Sequence, residues 1–357
     1  MKTKLTFVTW GIALGLTGCL HPTIGPKSLG PDRATYSAGI SDSWKEQMLL
    51  NIVKLRYLDP PTFVDVGSIV SSYTLTQGAT AGGTITPGGS SNAALGIAGT
   101  FSNSPTITYT PLTGSKFIQG LLTPLPAGSV FDAIQNGRPA DLIMLSSLFS
   151  INGLKNQQAT LNGITPADPD FERVRALLRK IQLSGAVRTF VKQDSNKGQA
   201  VVVVFRAADI APDVLADVKE LRRLLKLNPD AEEFSLVQSP VSTNDKEIAV
   251  LTRSIVSLMQ NMAADVEVPP DDLAKTRAWP GFENNRNAAA ANRLIRIHSD
   301  KKKSPDAFVA VNYRNTWFWI DDSDLHSKQV FLQLMTLFTM DDTGERGRQP
   351  VVTIPSR

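Results

Sequence analysis

Fifty consecutive residues without a charge constrain this chain more than any other feature. From Val66 to Ser115 there is no Asp, Glu, Lys or Arg, although such residues make up 20% of the whole. All 70 charged residues lie in the other 307, where they amount to 23%. The uncharged segment is built from Gly, Ser and Thr with interspersed apolar side chains. Ile69, Tyr73, Leu75, Ala79, Ala81 and Ile85 occupy odd positions, with Ser68, Ser72, Thr74, Thr76, Thr80 and Thr84 on the even ones. After the break Pro87-Gly88-Gly89-Ser90-Ser91-Asn92 the alternation resumes, with Leu95, Ile97, Phe101, Ile107 and Tyr109 odd and Thr100, Ser102, Thr106, Thr108 and Thr110 even. Period two is the period of a β-strand, so each half presents one apolar face and one small polar face. A Gly-rich break between two such halves predicts a long β-hairpin over residues 66–111. Setting Ile69 opposite Tyr109 places both apolar sets on the same side.

Three readings of this hairpin stand side by side. In the first it crosses a membrane and joins copies from other subunits in a closed barrel, since barrel strands alternate apolar and polar residues and tolerate charge poorly on the lipid face. The membrane-facing residues would be Ile69, Tyr73, Leu75, Ile85, Leu95, Ile97, Phe101, Ile107 and Tyr109. Tyr73, Phe101 and Tyr109 gather toward the base like one interfacial girdle. One hairpin cannot close a barrel, so this reading demands a homo-oligomer. In the second reading the hairpin is soluble and its apolar face covers the protein's own body. In the third it is a low-complexity loop. Pro105 counts against an unbroken spanning strand, because it cannot donate to a ladder.

Outside this segment the composition is that of a globular protein, 42% hydrophobic over 357 residues. The formal charge of +4 makes no electrostatic case for nucleic acid. A single Cys excludes an internal disulfide and a Cys-rich metal site, and three His leave little for a histidine site.

The lone Cys stands where an anchor would need it. Lys2 and Lys4 precede a mostly apolar run, Leu5 to Leu16, which is shorter than the roughly 20 residues of a spanning helix. The run ends in Leu16-Thr17-Gly18-Cys19, which resembles the lipobox of bacterial lipoprotein precursors. That resemblance implies diacylglyceryl transfer to the Cys19 sulfur and cleavage before it, so that 1–18 is a signal peptide and Cys19 a lipidated N-terminus. Leu20 rather than Asp follows, which by the same analogy favours the outer membrane. Residues 19–40, with Pro22, Gly25, Pro26, Gly30 and Pro31, read as an extended tether.

The remainder predicts an α+β fold with mixed and antiparallel sheets. Ser43-Trp44-Lys45-Glu46 has the form of a capping box. Trp44, Met48, Ile52 and Leu55 recur at helical spacing and Asp59-Pro60-Pro61 ends the helix. Residues 41–160 then comprise this helix, the hairpin, and a helical stretch from Leu112 to Asn156. An α/β unit spans 161–265: a helix capped by Asp168 with Pro169 at its start, a hairpin of 186–191 and 200–205, a helix 213–225, a strand 233–238, and a helix 246–264. Residues 266–291, rich in Pro, Asp and Asn, read as a surface excursion. The C-terminal unit, 292–357, holds strands at 293–299, 307–313 and 316–320 as a meander, a helix 321–340 and a strand 351–354. The plan β-β-α-β thus occurs twice.

Candidate chemistry is sparse. Trp317-Phe318-Trp319 reads as a central strand buried on both sides. Asp321-Asp322-Ser323-Asp324 reads as a helix cap, lacking the Gly and terminal Glu of a calcium loop. His326 beside Asp322 and Asp324 has no nucleophile elbow to serve. The cationic side of the Asp168 helix, with Arg173, Arg175, Arg179 and Lys180, reads as a solvated face. No catalytic residue, cofactor site or metal site is expected.

Ser150-Ile151-Asn152-Gly153-Leu154, Tyr313 to Asp322 with Ser327-Lys328, Pro350-Val351-Val352-Thr353-Ile354-Pro355 and Pro105-Thr106-Ile107-Thr108-Tyr109 resemble segments shared by uncharacterised bacterial lipoproteins. The resemblance implies a common fold and no known activity. The expectation is a non-enzymatic lipoprotein of the outer membrane with its body in the periplasm. Its partners would be the membrane, through Cys19, and copies of itself or other envelope proteins. The alternative is a monomeric scaffold or binding lipoprotein with a soluble hairpin.

Overall fold

A computed structural model describes residues 29–70, 72–84, 88, 92–160, 163–194, 198–205, 211–281 and 293–341. The fold is α+β. Its helices are α1 (Leu29–Arg56), α2 (Ser115–Leu122), α3 (Ala127–Gln135), α4 (Ala140–Ser147), α5 (Pro169–Leu183), α6 (Pro212–Leu224), α7 (Ile255–Ala264), α8 (Pro270–Ala274) and α9 (Leu325–Asp341). Its strands are β1 (Phe63–Val70), β2 (Tyr73–Thr84), β3 (Asn92–Asn103), β4 (Thr106–Leu112), β5 (Leu148–Ile151), β6 (Leu154–Lys155), β7 (Gln158–Thr160), β8 (Gly163–Thr165), β9 (Val187–Asp194), β10 (Gly198–Phe205), β11 (Glu233–Gln238), β12 (Glu247–Thr252), β13 (His298–Asp300), β14 (Ala307–Tyr313) and β15 (Thr316–Asp321). Two units separate. One takes in residues 29–43 and 65–110 of those described, and the other residues 44–64 and 111–341.

The first unit contains the uncharged hairpin as nested pairs, β1 with β4 and β2 with β3. Residues 29–43 are helical, so the extended tether expected over 19–40 is corrected from Leu29 onward; residues 19–28 lie outside the described residues. Pro31 lies in the first turn, where its missing N–H costs nothing. The Ser43 capping box therefore falls inside α1 and starts no helix.

The second unit is built on a six-stranded mixed sheet of order β6-β5-β12-β11-β10-β9. β12 runs parallel to β11 and antiparallel to β5, so the expected boundary at residue 160 falls inside one sheet. β11 follows the β9–β10 hairpin and α6 as anticipated. Two segments expected to be helical contain strands: 148–155 forms β5 and β6, and 247–252 forms β12. Helix α7 starts only at Ile255, where the Ser254 hydroxyl accepts the Ser257 N–H at 3.2 Å. α3 and α4 pack on the sheet, and α5 packs on α4 and α6.

A second, three-stranded sheet has the order β13-β15-β14. β15 is thus central and the unit is no sequential meander. Of the expected strand 293–299 only His298 and Ser299 fall in a strand, which continues to Asp300. Phe318 and Ile320 are buried, whereas Trp317 and Trp319 on the opposite face are half-buried. Burial on both faces is therefore corrected to burial on one. On the half-buried face His298 lies against Trp319 with ring centres 5.4 Å apart, and Lys303 lies 5.4 Å over Trp317. The expected strand at 351–354 lies outside the described residues.

Residues 266–281 are no surface excursion. Val266, Val268, Ala278 and Trp279 are buried, and the Trp279 indole donates to the Leu55 carbonyl at 3.1 Å. Helix α1 also completes a strand edge by side chains. Gln47 and Asn51, one turn apart, exchange paired hydrogen bonds with the backbone of Val64 and Thr62 at 2.6–3.0 Å. Both amides thereby substitute for a neighbouring strand.

Candidate functional site

The ribbon is the sequence's leading site, and its register decides which faces form. β2 and β3 pair over twelve residues each, with Leu75 opposite Phe101, Ala79 opposite Ile97 and Ala81 opposite Leu95. Thr74 faces Ser102 and Thr76 faces Thr100 across the same ladder. Odd residues therefore meet odd residues, and the two apolar sets share one side as expected. Twelve residues span about 40 Å at about 3.3 Å each. The ladder is interrupted where Ser104 N–H donates to the Ser72 carbonyl at 2.9 Å and Pro105 follows. Beyond it, Val70, Ile107 and Tyr109 are 42%, 39% and 61% exposed, while Ile69 and Tyr73 are half-buried. Glycines let the strands close up: a Cβ at Gly96 would come within 2.8 Å of Thr80 Oγ1, and one at Gly67 within 2.9 Å of Thr110 Oγ1. Ile85 and Cys19 lie outside the described residues. Among those described, no helix is long and apolar enough to cross a membrane.

The other unit holds what the sequence did not point to. Helix α4 ends inside the protein, where its last carbonyls need donors. Arg253, fully buried, supplies them. Its Nη1 donates to the carbonyls of Leu145 at 2.8 Å and Ser146 at 3.2 Å, its Nη2 to that of Gln157, and its own N–H to Ser147 at 2.8 Å. Asn156 Nδ2 covers Met144, Leu145 and Leu148 at 2.8–3.2 Å. Burial pulls the Arg253 guanidinium down to about 9. Asp265, also buried, accepts the backbone N–H groups of Leu294 and Ile295 at 2.9 and 3.2 Å. Loss of hydration pushes its carboxyl up to about 8, and those hydrogen bonds and the nearby charges of Arg293 and Arg56 only partly oppose the rise.

A groove of about 770 Å³ opens between α5, the segment around Arg293 to Arg296 and the start of α9. Arg175, Arg179, Arg293, Arg296, His326 and Gln329 line it. The α5 cations thus divide. Arg173 and Lys180 pair with Glu220 and Asp217 of α6 at 2.6 and 3.7 Å, while Arg175 and Arg179 reach the groove. The acidic run before α9 caps it as expected: Asp324 accepts the Ser327 N–H at 3.0 Å and its hydroxyl at 2.7 Å, and these bonds hold its carboxyl below the usual range against the opposing loss of hydration. Asp321 accepts the N–H and hydroxyl of Ser323 at 2.9 and 2.5 Å. Among the described residues, no cluster of three or more His, Cys, Asp or Glu is placed to hold a metal ion. The cationic groove escaped the sequence because Arg175 and Arg293 are far apart in the chain and only packing brings them together.

No known family's sequence pattern matches the chain, and no curated protein or solved structure matches it.

Proposed function

We propose that this chain is a non-enzymatic bacterial envelope protein, anchored through Cys19 to the outer membrane, that assembles with copies of itself through the uncharged ribbon. The anchor rests on the lipobox resemblance of Leu16-Thr17-Gly18-Cys19 and on the uniqueness of that Cys. The self-assembly rests on one observation: a two-stranded ladder, twelve residues deep, with an apolar side and a Thr/Ser side and no charge in its sequence. Two strands alone are marginal in water and leave both edges open, so such a ribbon gains by adding neighbours. Roughly 9–11 tilted residues cross a bilayer, so the ladder is long enough to contact or span one.

The test is the size of the detergent-solubilised mature protein beside a version lacking residues 67–110. A ring or larger oligomer that collapses on deletion supports the reading. A monomer in both cases overturns it and leaves a monomeric scaffold or binding lipoprotein. Replacing Leu95 and Ile97 by Asp should abolish membrane assembly, because charge on the lipid face near the midplane is destabilising. Cys19→Ala should abolish lipid labelling; continued labelling refutes the anchor.

A further inference from the structure

The geometry points to the Arg-lined groove as a binding site for a phosphate-bearing ligand of small-molecule size, either free or as the headgroup of an anionic lipid. This goes beyond the ribbon reading and does not depend on it, since every lining residue belongs to the second unit. The groove's volume of about 770 Å³ lies within the roughly 300–1,000 Å³ of small-ligand sites. Four guanidiniums converge on it from two stretches of chain, Arg175 and Arg179 from α5 and Arg293 and Arg296 from the segment before β13. Like charges gathered in one concave surface focus a positive potential there.

Of the two carboxylates in the groove, Asp324 is occupied by Ser327, while Asp141 Oδ1 lies 3.6 Å from Arg179 and, among the described residues, accepts no hydrogen bond. On the flank, Glu172 holds Arg175, and Gln182 accepts from Arg179 Nη1 at 2.7 Å. Arg293 and Arg296 are held differently. The Arg296 backbone N–H is fixed by the Ser327 hydroxyl at 2.8 Å, which ties it to the first turn of α9. Arg293 Nε is buried and, among the described residues, meets no acceptor. A buried donor without an acceptor is costly, and an anion in the groove would supply one. A single carboxylate is satisfied by one guanidinium fork, whereas the oxygens of a phosphate can accept from several at once. Arg175 and Arg179 already give donors to Glu172 and Gln182, so Arg293 and Arg296, with His326 and Gln329 beside them, are the groups that would receive a phosphate.

The test titrates the full mature chain with inorganic phosphate, glycerol 3-phosphate, glycerophosphoglycerol and citrate, following heat. At least one phosphate compound should bind in the millimolar range or tighter, and more tightly than citrate. Preference for glycerophosphoglycerol identifies a lipid headgroup as the source, and preference for the monoesters a free phosphorylated ligand. Arg296→Gln should weaken binding by about tenfold, the loss of one charge-assisted contact. Arg173→Gln, outside the groove, should leave binding unchanged. Arg293→Gln should weaken binding at least as much as Arg296→Gln. Because Arg293 also faces the buried Asp265, Arg296→Gln decides should the Arg293 variant fail to fold. The proposal is overturned by no heat with any phosphate compound, by citrate binding as tightly, or by wild-type affinity in Arg296→Gln.

Discussion

The six-stranded sheet and the ribbon use β-structure in opposite ways. The sheet buries its strands beneath helices, and every carbonyl at the closed end of α4 has a donor from Arg253, Asn156 or the local backbone. The ribbon has a ladder and two faces, and its residues Gly78, Ala79, Thr80 and Tyr109 are exposed. In one region buried polar groups fix a unique arrangement. In the other, regular alternation with small residues leaves surface for neighbours. The contrast teaches that a period-two pattern specifies faces, while burial of polar groups specifies a unit. It can be sharpened by substitutions whose effects on stability differ in size between the two regions.

The largest effect is expected from pH. Asp265 ionises near 3.8 when unfolded and near 8 when folded. Between those values the folded protein holds a proton that the unfolded chain has released, so stability falls as pH rises from about 4 to 8 and is level above. The shift corresponds to at most about 6 kcal/mol. Asp265→Asn keeps an acceptor for Leu294 and Ile295 and carries no charge. Urea midpoints at intervals from pH 5 to 8 should decline in the wild type and stay nearly flat in the variant. Equal slopes would mean that Asp265 is ionised when folded.

Next in size is Arg253→Met. It preserves the bulk of the chain stem and removes the donors to Leu145, Ser146 and Gln157. Unsatisfied buried carbonyls cost about 1–3 kcal/mol each before relaxation, so a loss of about 3–4 kcal/mol is expected. Asn156→Ala should cost about 2–3 kcal/mol for the same reason, because Arg253 still covers Leu145. Chemical denaturation reads both. A loss below about 1 kcal/mol in either would show that water reaches the end of α4.

The two regions also differed in how far they could be read from residues. Alternation exposed the ribbon because every second residue answers to the same face, and its cross-strand partners came out odd against odd. The helix around Trp44 to Leu55 and the β9-β10-α6-β11 plan were legible for the same local reasons. β12 was not. Glu247 to Thr252 is buried on both faces and so lacks alternation, and an apolar helix follows with no Gly or Pro between them. Only the Ser254 cap separates the two. The start of α1 was masked by Pro22 to Pro31, since a Pro in a first turn looks like a Pro in a loop. Arg253 gave one faint signal, a charge inside an apolar run. The groove gave less, because its two pairs of arginines meet only through tertiary packing.

The smallest effect on stability belongs to the ribbon, and it is the most discriminating. Tyr109 is 61% exposed, so Tyr109→Ala should change the stability of the second unit by less than about 0.5 kcal/mol. Tryptophan fluorescence isolates that measurement, because Trp44, Trp279, Trp317 and Trp319 all lie outside the ribbon and the remaining Trp10 falls in the expected signal peptide. The urea midpoint should therefore coincide with that of the wild type. Membrane assembly should not coincide. A Tyr near the base of a membrane-contacting ribbon sits with its ring among the headgroups. Tyr109→Ala should then weaken assembly in detergent or vesicles, and Tyr109→Phe should retain most of it. If the Ala variant assembles as the wild type does, Tyr109 is outside the membrane interface. If it instead unfolds the second unit, the separation between a self-sufficient body and an assembling ribbon fails, since an exposed side chain would then be supporting the core.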